Sequence, residues 1–328
     1  MSYDVITFGE AMVRLSPANF RRLEQAHTLD AFAGGAELNT AVALARFGKH
    51  CAWVTRLTDN PLGRLIASRA REAGVNIEHV IWTPEDRVGV YFVEFGAAPR
   101  ASSVLYDRKD SAMANIRPGL VPWDRVLRGV KWFHVTGITP ALSPSAAEAT
   151  REALEACRAA RVPVSLDLNY RAMLWTPEEA RRTLIELLPY CEILITTEED
   201  AERVLNVTGS EKPAIAAELA RRFSLRVVAI TIRDNPLVWK NSWTAIAHSA
   251  GVLHQTRSYE VEIVDRLGAG DSFAAGLIHG LLDGDLQKGL DYGVAASALK
   301  HSVPGDFAWI TPAEVESLLK GHGLRISR

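Results

Sequence analysis

The residues whose types and spacing could do chemistry are Gly268-Ala269-Gly270-Asp271, between an extended run ending at Val264 and an apolar segment. Phe273, Leu277 and Leu281 recur every four residues, as do Ala274, Ile278 and Leu282, which predicts a buried helix opening at Asp271. The first turn of a helix carries backbone N–H groups without partners and the positive end of the helix dipole. Glycines at 268 and 270 let the chain bend tightly and approach a ligand closely. Such N–H groups can stabilise a transferring phosphoryl group while the Asp271 carboxylate takes the proton of an attacking hydroxyl. On these four residues alone, a plain strand-to-helix turn with a first-turn charge is the stronger reading.

Other residues could hold a polyhydroxylated ligand. Gly34-Gly35 precede an Ala-rich helix that Gly48 can end, and Asn39 offers both donors and an acceptor. An ordinary helix-entry turn fits that stretch equally well. Asp167-Leu168-Asn169-Tyr170-Arg171 closes a strand-like run, where Asn169 can bind hydroxyls and the Arg171 guanidinium a carboxylate or phosphate. Tyr106 and Arg108 are two apart, hence on one face of a strand, and set a phenol beside a cation. With Tyr91 on the preceding strand, that pair suits an acidic, polyhydroxylated molecule better than a neutral one.

The elements that must position these residues are legible in order. Asp4 to Glu10 reads as a first strand, followed by the alternating Met12-Val13-Arg14-Leu15. Strand Cys51–Leu57 leads to a helix entered at Asn60-Pro61, with proline at its first position. From Val88 to Glu94 and Ser103 to Arg108 two strands follow without a helix between them, predicting a hairpin. From residue 131 onward strands and helices alternate: Lys131–Thr136, Val162–Leu168, Ile193–Thr196, Arg226–Ile232, Thr244–His248 and Val252–Val264 are the strands. Ser143-Pro144, Thr176-Pro177-Glu178-Glu179 and Thr311-Pro312-Ala313-Glu314 read as helix starts. This order predicts an α/β fold with a mostly parallel sheet covered on both faces, and a ligand site at the carboxyl ends of its strands.

At 328 residues, with 48% apolar residues, the chain can build one large α/β domain or two smaller ones. A formal net charge of −2 gives no general attraction to nucleic acid or to anionic membranes. Cys51, Cys157 and Cys191 lie scattered in apolar runs, as expected of buried free thiols. No leader segment and no transmembrane-length apolar run are apparent, so a cytoplasmic setting is expected.

Asp265, the Gly268-Ala269-Gly270-Asp271 loop and the small-residue helix behind it are similar to the signature of the ribokinase-like (PfkB-type) carbohydrate kinases. The resemblance covers nearly the whole chain. Gly9-Glu10 with Arg14-Leu15, the Tyr106/Arg108 pair and Arg171 resemble the 2-keto-3-deoxygluconate kinases within that family. It implies a single ribokinase-like domain over 1–328, three-layered α/β/α, with a small β-sheet lid formed by about 12–34 and 88–110. It further implies an ATP-dependent kinase giving 2-keto-3-deoxy-6-phosphogluconate, with Asp271 as base and Gly268, Ala269 and Gly270 donating N–H groups to the phosphate. Gly34, Gly35, Asn39, Tyr91, Tyr106, Arg108, Asn169 and Arg171 would hold the sugar acid. Thr231, Gly268, Gly270, Ser297 and His301 would border the nucleotide. Asp200 would organise Mg2+ through water, and Asp265 a monovalent cation such as K+. A homo-oligomer sealed through the lid is expected.

The chain departs from the family pattern in three places. Thr197-Glu198-Glu199-Asp200 stands where an Asn-x-x-Glu motif is usual, Arg266-Leu267 where Thr-Thr is common, and Arg233-Asp234-Asn235-Pro236 where a Gly-rich turn follows the strand. A fructokinase or another sugar or nucleoside kinase, and a non-catalytic sugar sensor on the same fold, are the alternatives. A dinucleotide-binding enzyme is disfavoured, because Gly-x-Gly-x-x-Gly spacing after the first strand is missing.

Overall fold

The computed structural model describes residues 2–237 and 240–321. Its strands are β1 (Val5–Phe8), β2 (Met12–Ser16), β3 (Asp30–Gly34), β4 (Cys51–Thr58), β5 (Val80–Thr83), β6 (Val90–Glu94) and β7 (Ser103–Asp107). They continue with β8 (Trp132–Thr136), β9 (Val164–Asp167), β10 (Ile193–Thr196), β11 (Val227–Leu237), β12 (Lys240–Ser249), β13 (Val252–Gln255) and β14 (Tyr259–Glu262). The large sheet runs β13-β12-β11-β10-β9-β8-β1-β4-β5, with β14 also paired to β12. From β5 to β11 every pairing is parallel, and the β11–β14 edge is antiparallel.

Strand side chains alternate between faces, so each parallel strand feeds two cores. Val5, Trp132, Ile193 and Val227 pack on one side beneath helices Ala36–Arg46, Ala269–Leu282 and Leu286–Lys300. Ile6, Phe133, Leu194 and Val228 pack on the other beneath Pro144–Ala160, Pro177–Leu187 and Lys212–Phe223. The result is the expected three-layer α/β/α architecture. Helix entries are made by the expected residues: Asn60 accepts from the Leu62 and Gly63 N–H groups, and Thr176/Glu179 and Thr311/Glu314 form reciprocal capping boxes.

A separate sheet, ordered β3-β2-β6-β7, stands off the main layer. β6 and β7 form the expected hairpin, with Tyr91 opposite Tyr106. β7 is exposed along its whole length.

One expected element differs. The run Val252–Val264 is not one strand but two, β13 and β14, both paired to β12 on the side away from β11. The break follows from Thr256, whose backbone N–H donates to the Ala245 carbonyl (3.2 Å) while its hydroxyl accepts from the Ala245 N–H (3.2 Å). These bonds take over the ladder locally. Among the described residues no helix is long and apolar enough to cross a membrane, and all three cysteines are buried and free.

Candidate active site

The 264–271 loop is clamped at its entry. Val264 and Asp265 N–H groups both donate to the His301 carbonyl (2.8 and 3.0 Å), at the end of the Leu286–Lys300 helix. The Asp265 carboxylate accepts from the Leu267 N–H (3.1 Å) and the Gly305 N–H (2.9 Å), which folds two loops together. Gly268 then turns the chain with φ +82°, and a Cβ there would collide with the Asp306 carbonyl, so only glycine fits. The helix begins at Ala269. The Ala269 N–H is taken by the Arg266 carbonyl (3.3 Å) and that of Ser272 by the Gly268 carbonyl (2.9 Å). Among the described residues no backbone partner is recorded for the N–H groups of Gly270 and Asp271, and nothing lies within 4 Å of where a Gly270 Cβ would be. Both residues line a cleft.

Asp271 is buried at the mouth of that helix. Its carboxylate accepts from the Asn39 side-chain amide (2.7 Å), whose oxygen in turn accepts from the Gly35 N–H (3.3 Å). The residue expected to touch a sugar thus orients the residue expected to act as base. Burial pushes the Asp271 carboxyl up to about 6, against the opposing pull of Asn39 and Arg171. Asp167 is pushed further, to about 8, by burial and then by the charge of Asp271, and burial raises Asp200 too.

One cleft at the carboxyl ends of β9, β10 and β11 collects Asn169, Arg171, Asp200, Thr231, Gly268, Gly270, Asp271 and His301. Ser297, by contrast, is completely buried in its helix, where its carbonyl meets His301 Nδ1 at 2.7 Å, and its side chain does not line the cleft. Arg171 is exposed, donates to the Tyr170 carbonyl (3.2 Å), and also borders a second hollow with Tyr106 and Arg108 under the small sheet. Tyr91, Gly34 and Gly35 lie behind this wall. The Tyr91 hydroxyl donates to Asp306, and the Arg108 guanidinium is held by Glu10 (Nε at 2.8 Å). In this arrangement those two side chains fasten the small sheet rather than face the cleft.

Sequence reasoning passed over a buried charge cluster. Arg14, on β2, is 1% exposed and bridges Asp265 (2.7 Å) and Asp306 (2.8 Å), with its guanidinium between the rings of Phe32 and Phe95. Burial works against its charge, but Asp306 and Asp265 outweigh that and hold it protonated. Lys300 is wholly buried nearby. The available signal was a cation at an inward position of an otherwise apolar alternation. The Asp265 carboxylate, expected to bind a monovalent cation, is occupied by Arg14 and two backbone N–H groups.

Glu37, one turn before Thr40, is also buried, and one carboxylate oxygen accepts from Thr136 N–H (3.0 Å), Thr136 Oγ1 (2.8 Å) and Thr139 Oγ1 (2.7 Å). Burial raises its carboxyl from the usual 4.5 to about 7 despite those bonds. A raised folded-state value contributes stability that is full below the unfolded value and lost as pH rises through about 7. The urea midpoint is expected to fall between pH 5 and pH 8, and Glu37→Gln to flatten that fall by up to about 3 kcal/mol. An unchanged slope in the variant would show that another group sets the dependence.

Residues 3–310 match the model of the pfkB family carbohydrate kinases. The chain is 38% identical to a 2-dehydro-3-deoxygalactonokinase of Haloferax volcanii, over the full length of both. It is 32% identical to a 2-dehydro-3-deoxygluconokinase of Thermoproteus tenax, covering 96% of this chain and 94% of the relative. Among solved structures, the 2-dehydro-3-deoxygluconokinase of Thermotoga maritima superposes with a TM-score of 0.94 at 41% identity, covering 98% of each chain.

Proposed function

Because this chain belongs to the pfkB family of carbohydrate kinases and is a phosphotransferase acting on an alcohol, we propose that it transfers the γ-phosphoryl group of ATP to the terminal hydroxyl of 2-keto-3-deoxygluconate. The observation that carries this reading is the buried Asp271 carboxylate beside two open first-turn amides, with Arg171 in the same cleft.

In this reading Asp271 accepts the proton of the attacking hydroxyl, and Asn39 holds its carboxylate in line. The loop amides, chiefly those of Gly270 and Asp271, stabilise charge on the equatorial oxygens of the moving group. Ala269 contributes shape rather than a donor, since its own N–H is committed. Tyr106, Asn169 and Arg171 grip the sugar acid, with the Arg171 guanidinium on its carboxylate. Tyr91 and Arg108, with Gly34 and Gly35 behind them, support the lid that excludes water. Thr231 and His301 border the nucleotide.

Kinases of this family use ATP and typically Mg2+. Among the described residues no three His, Cys, Asp or Glu side chains converge to hold an ion alone. The acidic wall of Asp200 and Asp167 fits an ion held mainly by nucleotide phosphates and water, whose contribution is to offset phosphate charge. The exposed β7 edge, with Leu105 60% exposed, is where we place a second copy of the chain.

The curated relatives are named for gluconate and galactonate forms, acids that differ in configuration at C4 and share the carboxylate Arg171 would read. ATP turnover with both epimers and with fructose tests the acceptor. Arg171→Ala is expected to raise KM for the acid by about 10–100-fold, the worth of a charged hydrogen bond, with little effect on any residual neutral-sugar turnover. Efficient phosphorylation of fructose with both acids inert would overturn the assignment.

A further inference from the structure

The Lys300 side chain is completely buried, yet among the described residues no carboxylate pairs with its ammonium. Its hydrogen bonds go to two backbone carbonyls, of Val303 (2.9 Å) and of Asp265 (3.3 Å). Carbonyl oxygens around an unpaired positive charge are the coordination a desolvated monovalent cation receives. The position is equally telling. A Cβ built on Gly268 would sit 3.4 Å from Lys300 Cε, so the lysine stem lies directly under the turn that presents the open amides. Burial works against the charge of Lys300, and the carboxylates of Asp265 and Asp306, both taken directly by Arg14, favour it. Without the ammonium, the Asp265 and Val303 carbonyls would face a hole.

We propose that Lys300 is a built-in monovalent cation: its ammonium pins the Asp265 and Val303 carbonyls, holds the 265–270 turn in its phosphate-binding shape, and removes any need for K+. Lys300 is a positioning residue here, acting through the loop. The proposal rests on the assignment of that loop to the transferred phosphoryl group, but it leaves Asp271 untouched, so the two can fail separately.

Three measurements test it. Wild-type turnover is measured in K+, Na+ and tetramethylammonium chlorides at fixed ionic strength, and is expected to be the same in all three. Saturable activation of the wild type by K+ overturns the proposal. Lys300→Ala, which opens the ammonium's space, is expected to lose about 10²-fold in kcat with KM for the sugar acid little changed, as for a displaced phosphate-binding group. K+ or NH4+, but not tetramethylammonium, should restore much of that loss and raise the variant's melting temperature, while leaving the wild-type melting temperature unmoved. A folded variant with wild-type kcat, or one whose loss no small cation repairs, overturns the proposal. If Lys300→Ala does not fold, Lys300→Met keeps the stem without the charge. It should show the same kcat loss without KM change, and an unaltered kcat overturns the assignment.

Discussion

Asp271→Asn is expected to lower kcat by about 10²–10⁴-fold, the usual worth of a positioned general base, while sugar and nucleotide still bind. The substitution keeps the shape of the side chain and removes only its capacity to take a proton. Because burial lifts the Asp271 carboxyl to about 6, kcat/KM of the wild type should fall tenfold per pH unit below about 6 and be level above it. The base is active only when deprotonated, so a raised value narrows the active range from the acid side. Asn39 donates to that carboxylate at 2.7 Å and so opposes the rise. Asn39→Ala should therefore move the acid limb to higher pH, a shift that loss of a sugar contact alone would not produce. Near-normal kcat in Asp271→Asn would remove Asp271 from the chemistry.

Arg14→Met is expected to destabilise the protein by about 3–5 kcal/mol, because it strands the carboxylates of Asp265 and Asp306 without their shared partner. Arg14 lies on β2 of the small sheet, whereas Asp265 and Asp306 belong to the two loops that meet at the Gly268 turn. The loss should thus appear twice, as a lower urea midpoint and as weaker catalysis in whatever fraction folds. Removing the stranded charges together, in Arg14→Met with Asp265→Asn and Asp306→Asn, should recover much of the stability without restoring turnover. If the single variant unfolds at the wild-type urea concentration, the cluster is not what joins the two sheets.

The glycines packed between the Ala269–Leu282 and Leu286–Lys300 helices show how the cluster is delivered. A Cβ on Gly276 or Gly280 would collide with Gly293 or Gly289. The two helices therefore lie backbone to backbone, and the second carries Lys300 under the turn that opens the first. Nothing in either helix read alone announces that approach. A run of small residues was visible, but small residues are equally at home in any buried helix.

The local features were legible from the chain itself. Most of the strand and helix order (β3 and β5 excepted), the helix entries at Asn60, Ser143, Thr176 and Thr311, the β6–β7 hairpin and the loop ending at Asp271 all depend on residues within a few positions of one another. Periodicity and capping chemistry act over that range, so composition and spacing were enough for them. The split between β13 and β14 was missed because Thr256 acts on a different strand, at Ala245.

What only the tertiary structure decided is how the charges are shared. Asn39 and Asp271 are 232 positions apart, and Arg14 and Asp306 are 292 apart. Residues so distant leave no mark on each other's neighbourhood in the sequence. An asparagine that looked free for a ligand bonds the proposed base, Arg108 bonds Glu10, and Asp265 pairs with Arg14. In a water-poor interior a charge must find a partner wherever folding brings one, and folding, not spacing along the chain, makes that choice.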